Sequence, residues 1–201
     1  MELSPIAKFN VTSGAVRLTD PCYANDVWCK LVVPNVRNGI WQGFVAQELG
    51  EPGWGPAGHK RNMAVVALHE SLGVIEPNDA GWEFFEANDP KNKSSEVGVD
   101  SGQAGIFDDE PYAKGPGIKE GEYDDPSSFY GQACSATCEG INAGVIQRMG
   151  IVSASGYGDG GYDAYVFERD GKVLGVMVDF GLFAEDETDD GTNEDDEELV
   201  S

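Results

Sequence analysis

Basic residues are scarce in this chain. It has 13 lysines and arginines against 36 aspartates and glutamates, which gives a formal net charge of -23 at pH 7. A chain this acidic repels phosphate groups, which argues against nucleic acids and anionic membranes as direct partners. The charge instead predicts a basic surface of another protein as the partner, and a small-molecule ligand stays possible.

Long apolar runs are also lacking. No segment approaches the ~18 apolar residues of a membrane span. The opening MELSPIAKFNVTSG has neither the basic start nor the apolar core of a secretory signal. Both absences predict a cytoplasmic protein, in which the four cysteines are reduced thiols.

Histidine is rare, and the cysteines are poorly spaced for a metal. His59 and His69 are too far apart to form a metal pair on one helix. The cysteines follow a C-x6-C and a distant C-x3-C pattern, which is a poor zinc spacing. We therefore expect no metal and no cofactor.

The familiar catalytic and phosphate-binding motifs fail on context. The stretch SGYGDGG at 155–161 has G-x-G-x-x-G spacing, but a strand-like segment follows it, where a dinucleotide-binding loop needs a helix. The D-F-G triplet at 179–181 comes one hairpin later, and the chain has no H-R-D segment, no G-K-[ST] and no G-x-S-x-G. No catalytic residue is predicted, and a non-enzymatic protein is favoured.

The chain does have 27 glycines, and short alternating apolar runs separated by Gly, Pro, Asn and Asp. This pattern predicts a mainly β (α+β) fold, an antiparallel sandwich or barrel-like sheet with one or two short packed helices. The predicted strands are 11–19, 27–33, 39–47, 62–69, 99–107, 150–155, 161–168 and 172–180. The predicted helices are 78–87 and 126–139, the second with Tyr130, Cys134 and Cys138 on its apolar face.

The last residues differ in composition from the rest. Residues 185–201 hold ten acids and no base, which leaves 26 acids against 13 bases in residues 1–184. Such a run cannot bury enough apolar surface to offset its ordering entropy and its self-repulsion. We expect one β-rich domain over 1–184 and a disordered acidic tail over 185–201.

A weak internal repeat is visible. VTSGAVRLTD at 11–20 matches VDSGQAGIFD at 99–108 in its Val, its Ser-Gly pair and its final Asp. NGIWQGFV and MAVVAL follow the first copy, and GGYDAYVF and KVLGVMV follow the second. Two related β-units in one sandwich or closed barrel would explain this pattern. Chance agreement is the competing explanation.

Four motifs also carry a family resemblance. They are S-G-x-x-x-L-x-D-P at 13–21, VDSGQAGIFD at 99–108, F-Y-x-x-x-C-x-x-T at 129–137 and S-x-S-G-Y-G-D-G-G-Y at 153–162. Together they resemble an uncharacterised domain-of-unknown-function family of bacterial and phage proteins. The resemblance implies a microbial or viral origin, in the cytoplasm of a bacterial host if the protein is phage-encoded, and no activity.

The candidate ligand-binding residues are two repeat-related carboxylates and the glycine loop. Asp20 and Asp108 could flank a pocket, and Gly156, Gly158, Asp159 and Tyr162 could add a backbone nest with a carboxylate. The alternatives are that the two aspartates form turns at strand ends and that the loop is a wide β-turn. Further carboxylates near predicted strand ends are Asp100, Asp109, Asp163 and Asp179.

The leading functional hypothesis is an acidic, non-enzymatic binding protein. It would engage and antagonise a partner protein through its negative surface, as an inhibitor or counter-defence protein does. One alternative is a nucleotide-signal binding module or hydrolase with a pocket near the 156–162 loop. That site would need its few cations clustered, namely Arg17, Arg37, Lys60, Arg61 and Arg148. A structural virion component is a third alternative.

Overall fold

The computed structural model describes residues 2–50, 57–73, 93–115 and 125–183. The predicted helix at 78–87 and the acidic tail at 185–201 lie outside these residues.

Eleven antiparallel strands of the described chain form two sheets. Sheet A has the order β1-β4-β5-β11-β10-β6, and sheet B has the order β3-β2-β7-β9-β8. In chain order the strands are β1 (Glu2–Val11), β2 (Ala15–Thr19), β3 (Leu31–Pro34), β4 (Gly39–Leu49), β5 (Lys60–His69), β6 (Lys93–Val99), β7 (Gln103–Asp108), β8 (Ala143–Ile146), β9 (Gly150–Ala154), β10 (Gly160–Arg169) and β11 (Lys172–Asp179). A 3-10 turn at Glu70–Leu72 follows β5.

The two sheets form an α+β sandwich, and neither closes into a barrel. Alternating apolar residues of both sheets fill the space between them, as period-2 patterning requires. The core includes Phe9, Val16, Leu18, Trp41, Val65, Val97, Ile106, Ile151, Val176 and Phe180. A second buried cluster, with Phe44, Val66, Leu68, Tyr165 and Met177, contains the alternate residues of sheet A.

Two α-helices, α1 (Asp109–Lys114) and α2 (Phe129–Thr137), pack on sheet B. Ser128 caps α2 by accepting a hydrogen bond from the Gly131 N–H. The predicted thiol face of this helix was wrong, because Phe129, Ala133 and Thr137 are the buried residues and Cys138 is exposed. The Phe129 ring packs edge-on against the rings of Phe107 on β7 and Tyr112 on α1. These contacts fix which face of α2 is buried.

The repeat seen in the sequence coincides with a pseudo-two-fold axis of the fold. Reversing sheet A exchanges β1, β4 and β5 with β6, β10 and β11, and the same operation on sheet B exchanges β2 with β7 and β3 with β9. The repeat offset of 88 residues carries Leu18 onto Ile106, and these two residues are directly paired. In sheet A, Val66 of β5 is directly paired with Met177 of β11, and the same axis exchanges these two residues. The chain is built as two related β-units, and only β8 has no counterpart strand among the described residues.

Two predicted strands, 11–19 and 99–107, were wrong as continuous elements. Each one breaks at a Ser-Gly pair, where Gly14 (φ 72°) and Gly102 (φ 66°) let the chain leave sheet A and enter sheet B. The breaks separate β1 from β2 and β6 from β7. The core positions change phase across each corner, from Val11 to Val16 and from Val99 to Ala104, and the sequence prediction overlooked this shift. The sequence prediction also missed β1 before Val11, β8 and α1.

Candidate functional site

Asp108 is a buried carboxylate that holds the first corner. It is 1% exposed and accepts four hydrogen bonds. Its Oδ2 accepts from the N–H (2.9 Å) and hydroxyl (2.7 Å) of Thr12, and its Oδ1 from the N–H (3.1 Å) and hydroxyl (2.5 Å) of Ser13. Charge-assisted bonds to paired backbone donors are among the strongest in proteins. Asp108, from the second unit, therefore fixes the corner of the first unit.

Asp20 does the same in the opposite direction. It is fully buried, and its Oδ2 accepts from the N–H groups of Asp100 and Ser101, both at 2.8 Å. Its Oδ1 accepts from the Ser101 hydroxyl at 2.6 Å and from the Cys22 N–H at 2.8 Å. Each unit thus supplies the carboxylate that holds the corner of the other.

The two carboxylates lie at opposite ends of the β2–β7 pair. Asp108 is opposite Val16, four residues before Asp20. Four strand residues span about 13 Å, so the fold does not bring the pair together across one pocket. All the contacts described for these two side chains are internal, which favours the structural interpretation of both. Their role in ligand binding stays a prediction.

The glycine loop is a strand-to-strand connection with its own internal bonds. The hydroxyls of Ser155 (2.5 Å) and Tyr162 (2.8 Å) both donate to the Gly158 carbonyl. Asp159 is exposed, and its Oδ1 accepts from the Gly102 N–H at 2.9 Å. A Cβ on Gly156, where φ is 69°, would lie 2.1 Å from the Asn62 carbonyl oxygen. Close packing on β5 therefore requires a glycine at this position.

The loop before β4 repeats this arrangement in the first unit. There the Asn38 Oδ1 accepts from the Gly14 N–H at 2.8 Å, as Asp159 accepts from Gly102. The Trp41 indole donates to the carbonyl four residues earlier, at Arg37, as Tyr162 does to Gly158. The repetition shows that these contacts belong to the fold.

The aromatic partners repeat too. Trp41 packs edge-on against His69 at 5.6 Å, and Tyr162 packs edge-on against Phe180 at 5.2 Å, both at 81°. His69 is buried, with its ring nitrogens 2.8 Å from the Ser71 hydroxyl and 3.3 Å from the Asn38 carbonyl. This is the setting of a structural histidine.

One feature of the second unit has no acidic counterpart in the first. Glu96 is paired with Asp163, and Asp163 with Asp179, across β6, β10 and β11. Directly opposed residues project from the same face of a sheet. We call these three side chains the acidic row. They line a pocket of about 530 Å³. The other lining residues are Tyr157, Gly161, Tyr162, Phe180 and Gly181.

The acidic row ranges from exposed to buried. Glu96 is exposed and Asp163 is half-buried, whereas Asp179 is 7% exposed. Burial raises the pKa of Asp179 above its usual value, and the charge of Asp163 adds to this effect. Three hydrogen bonds from the N–H groups of residues 181–183 oppose the shift. Like charges opposed across strands cost stability, so the row is an electrostatic liability for the fold.

The equivalent positions of the first unit show that the sheet does not need these charges. The pseudo-two-fold axis places Lys8 on Glu96 and Gln42 on Asp163. Lys8 and Gln42 are directly paired, as Glu96 and Asp163 are. The third position, equivalent to Asp179, is Leu68, which is paired with Gln42. The same sheet geometry thus holds one cation and no carboxylate. Sequence analysis noted Asp163 and Asp179 as strand-end carboxylates but missed Glu96, because only strand register aligns the three.

The tyrosine at the pocket rim already has a cationic partner. Tyr157 is 53% exposed, and the Arg61 guanidinium lies 4.4 Å from its ring centroid. A Cβ on Gly181 would be 3.0 Å from this ring, so the ring packs directly on the Gly181 backbone. The side chain is held at the rim with an aromatic surface that is suited to cations.

Three of the five candidate phosphate-binding cations have separate partners in the structure. Arg17 is buried and pairs with Asp109 at 2.9 Å beneath Tyr112. Arg37 donates to the Ser71 hydroxyl beside the 3-10 turn, and Arg61 stacks on Tyr157 in another region. Their separate partners give no support to a nucleotide site.

The Cys22 thiol is not activated. Burial and the neighbouring Asp20 raise the pKa of Cys22 above its usual value, which keeps it a neutral thiol. Burial and a hydrogen bond with Cys134 raise the pKa of Tyr130 to about 12. Within the described ranges, no three His, Cys, Asp or Glu side chains are grouped so as to hold a metal ion.

Comparisons with known proteins add no identity. In the part of the chain that the structure describes, no helix is long and apolar enough to cross a bilayer. No protein-family model, curated protein or solved structure matches this chain.

Proposed function

We propose that this protein is a non-enzymatic binding protein that engages a basic surface of a partner protein through the acidic row. It acts as an antagonist by covering that surface, in the cytoplasm of a bacterial cell. The carrying observation is that the acidic row lines a pocket of one unit, on a scaffold whose other unit has Lys8, Gln42 and Leu68 at the equivalent positions.

The pocket suits a guanidinium or ammonium group at the end of a partner side chain. Glu96 and Asp163 offer carboxylate oxygens for such a group. Tyr157, on whose ring the Arg61 guanidinium stacks, bounds the pocket beside them. A partner cation would relieve the repulsion within the acidic row, so part of the cost to the fold is recovered on binding. The net charge of -23 adds long-range attraction that speeds encounter with a basic partner.

The test uses a peptide of alternating arginine and serine as the probe, titrated into the full chain by calorimetry at several salt concentrations. The variant is Glu96→Gln with Asp163→Asn, which leaves the buried Asp179 to accept its three loop N–H bonds. We expect about tenfold weaker binding and a smaller salt dependence, because two charges are lost at the contact.

The matched control is Glu168→Gln with Asp170→Asn, which removes two exposed charges from the β10–β11 hairpin end. This control should weaken binding less than about twofold, because exposed distant charges are screened. Equal losses in both variants would reject the acidic row as the contact. Binding of the unaltered protein that ignores salt would reject the proposed function itself.

The pocket also supports a second candidate function, the binding of a small molecule. Its carboxylates favour a cationic amine over a nucleotide, since phosphate groups would face Glu96, Asp163 and Asp179. Spermidine and ATP can be compared by equilibrium dialysis. Saturable spermidine binding that is lost in the Glu96→Gln, Asp163→Asn variant would support this candidate, and preferential ATP binding would contradict it.

A further inference from the structure

The outer edge of β3 is the place where the pseudo-two-fold symmetry of sheet B breaks down. In the second unit β8 pairs with β9 along four residues, and Val152 of β9 lies opposite Gly144. In the first unit β3 takes the place of β9, and Val32 takes the place of Val152. No strand of the described chain pairs with the outer side of β3. The equivalent edges of β9 and β3 therefore differ. β8 pairs with the edge of β9, and no strand of the described chain pairs with that of β3.

The backbone of Val32 faces this open edge. Ladder bonds in an antiparallel pair alternate between residues. Pro34 has no N–H to donate, so the bonded pairs with β2 fall at Leu31 and Val33. The N–H and C=O of Val32 then point away from β2, and its side chain is 37% exposed. An unpaired edge of this kind is a template for a further strand.

An exposed tryptophan lies in the segment that leads into β3. Trp28 is 91% exposed, four residues before Val32. The next residue, Cys29, accepts a 2.9 Å backbone hydrogen bond from Gly98 of β6, which ties the segment to sheet A. Tryptophans are enriched among the residues that contribute most to protein–protein binding energy. The Trp28 side chain is therefore exposed on a segment whose backbone is held at Cys29.

We propose that the outer edge of β3 and Trp28 form a docking site for an extended segment of a partner protein. The segment pairs antiparallel to β3, as β8 pairs with β9, and places an apolar side chain on the Trp28 ring. The paired edge belongs to sheet B, whereas the acidic row crosses β6, β10 and β11 of sheet A.

Charge decides between a foreign segment and a second copy of this chain. Two copies would each bring a net charge of -23 to the contact. Like charges at that level oppose close association. The occupant is therefore a basic strand of another protein, which the net charge of -23 attracts.

The test uses a nine-residue peptide of alternating valine and lysine as the probe. It is titrated into the full, 15N-labelled chain in high salt, which screens non-specific attraction. A peptide of the same charge with a central proline in place of valine is the control, since it cannot complete the backbone ladder. We expect saturable shifts of the amides of Leu31, Val32 and Val33 and of the Trp28 indole, with the valine peptide only.

Two variants distinguish docking at Trp28 from non-specific binding to exposed apolar side chains. Trp28→Ala should weaken the valine peptide at least about tenfold. Leu49→Ala removes another exposed apolar side chain, 73% exposed on β4, and should leave affinity unchanged.

Three results would overturn the proposal. The first is no saturable binding, and the second is equal binding of the proline peptide. The third is a dimer of the free protein in sedimentation that Trp28→Ala disperses, which would make the occupant a second copy.

Discussion

The two units of this protein share a scaffold and differ in what they display. Both have a Ser-Gly corner held by a buried aspartate of the other unit, and both have a loop whose Asn38 or Asp159 accepts from the corner glycine. Among the described residues, only the second unit has the acidic row, and β3 of the first unit lacks the neighbouring strand that β8 provides for the equivalent β9. Features that occur twice are explained by folding, so the features that occur once are the candidates for function.

The largest expected effect tests the equivalence of the two corners. Asp20→Asn and Asp108→Asn would each lower the free energy of unfolding by about 3–5 kcal/mol, because an amide nitrogen would replace an acceptor among buried donors. Urea unfolding of both variants measures this. A neutral Asp20→Asn beside a damaging Asp108→Asn would break the equivalence and return Asp20 to consideration as a ligand-binding residue.

The next effect separates the two glycines of the 156–162 loop. Gly156→Ala should cost about 2–4 kcal/mol, because its Cβ would meet the Asn62 carbonyl oxygen at 2.1 Å and its φ is 69°. Gly158→Ala has φ 90° but nothing within 4 Å of its Cβ, so about 1–2 kcal/mol of backbone strain is expected. Thermal unfolding gives the order. Equal costs would show that the close approach to β5 is not limiting.

A smaller loss of stability is expected when the equivalent aromatic residues Tyr162 and Trp41 are each changed to phenylalanine. Tyr162→Phe should cost about 0.5–1 kcal/mol, because the Gly158 carbonyl keeps its bond from the Ser155 hydroxyl. Trp41→Phe should cost more, about 2 kcal/mol, because it loses its bond to Arg37 and also leaves a cavity. Chemical denaturation of both variants tests the order, and a larger loss at Tyr162 would contradict it.

The smallest effect concerns pH and the acidic row. The raised pKa of Asp179 means that the folded state keeps this proton to a higher pH than the unfolded state does. The stability contributed by the protonated form is therefore lost as pH rises through the folded pKa. Asp163→Asn removes a neighbouring charge, so the pKa of Asp179 should fall, and stability above that pKa should rise by a few tenths of a kcal/mol.

Carboxyl 13C titration by NMR follows Asp179 directly. The control is Gln42→Asn, at the position of the first unit equivalent to Asp163, which should leave the pKa of Asp179 unchanged. If the pKa of Asp179 is the same in Asp163→Asn as in the unaltered protein, the charge of Asp163 does not contribute and burial alone causes the shift.

The sequence predicted β5, β10 and β11. β10 alternates in part between apolar and polar residues, whereas β5 and β11 are short continuous apolar runs that the fold buries on both faces. It failed at β8, where four residues are too few to show a period. The corners at 12–14 and 100–102 were also missed, since a single Ser-Gly pair is the only glycine-containing turn signal at each change of sheet.

The sequence by itself determined the β-rich class and the acidic character, because composition and local periodicity encode both. It indicated a repeat, which only the strand order and register distinguish from chance agreement. Only the tertiary structure decided what the carboxylates do. Asp20 and Asp108 find their main donors at sequence separations of 80 or more, and the acidic row joins residues 96, 163 and 179 through strand register. A carboxylate acquires its partners from the fold, so its role cannot be assigned until the strands are aligned.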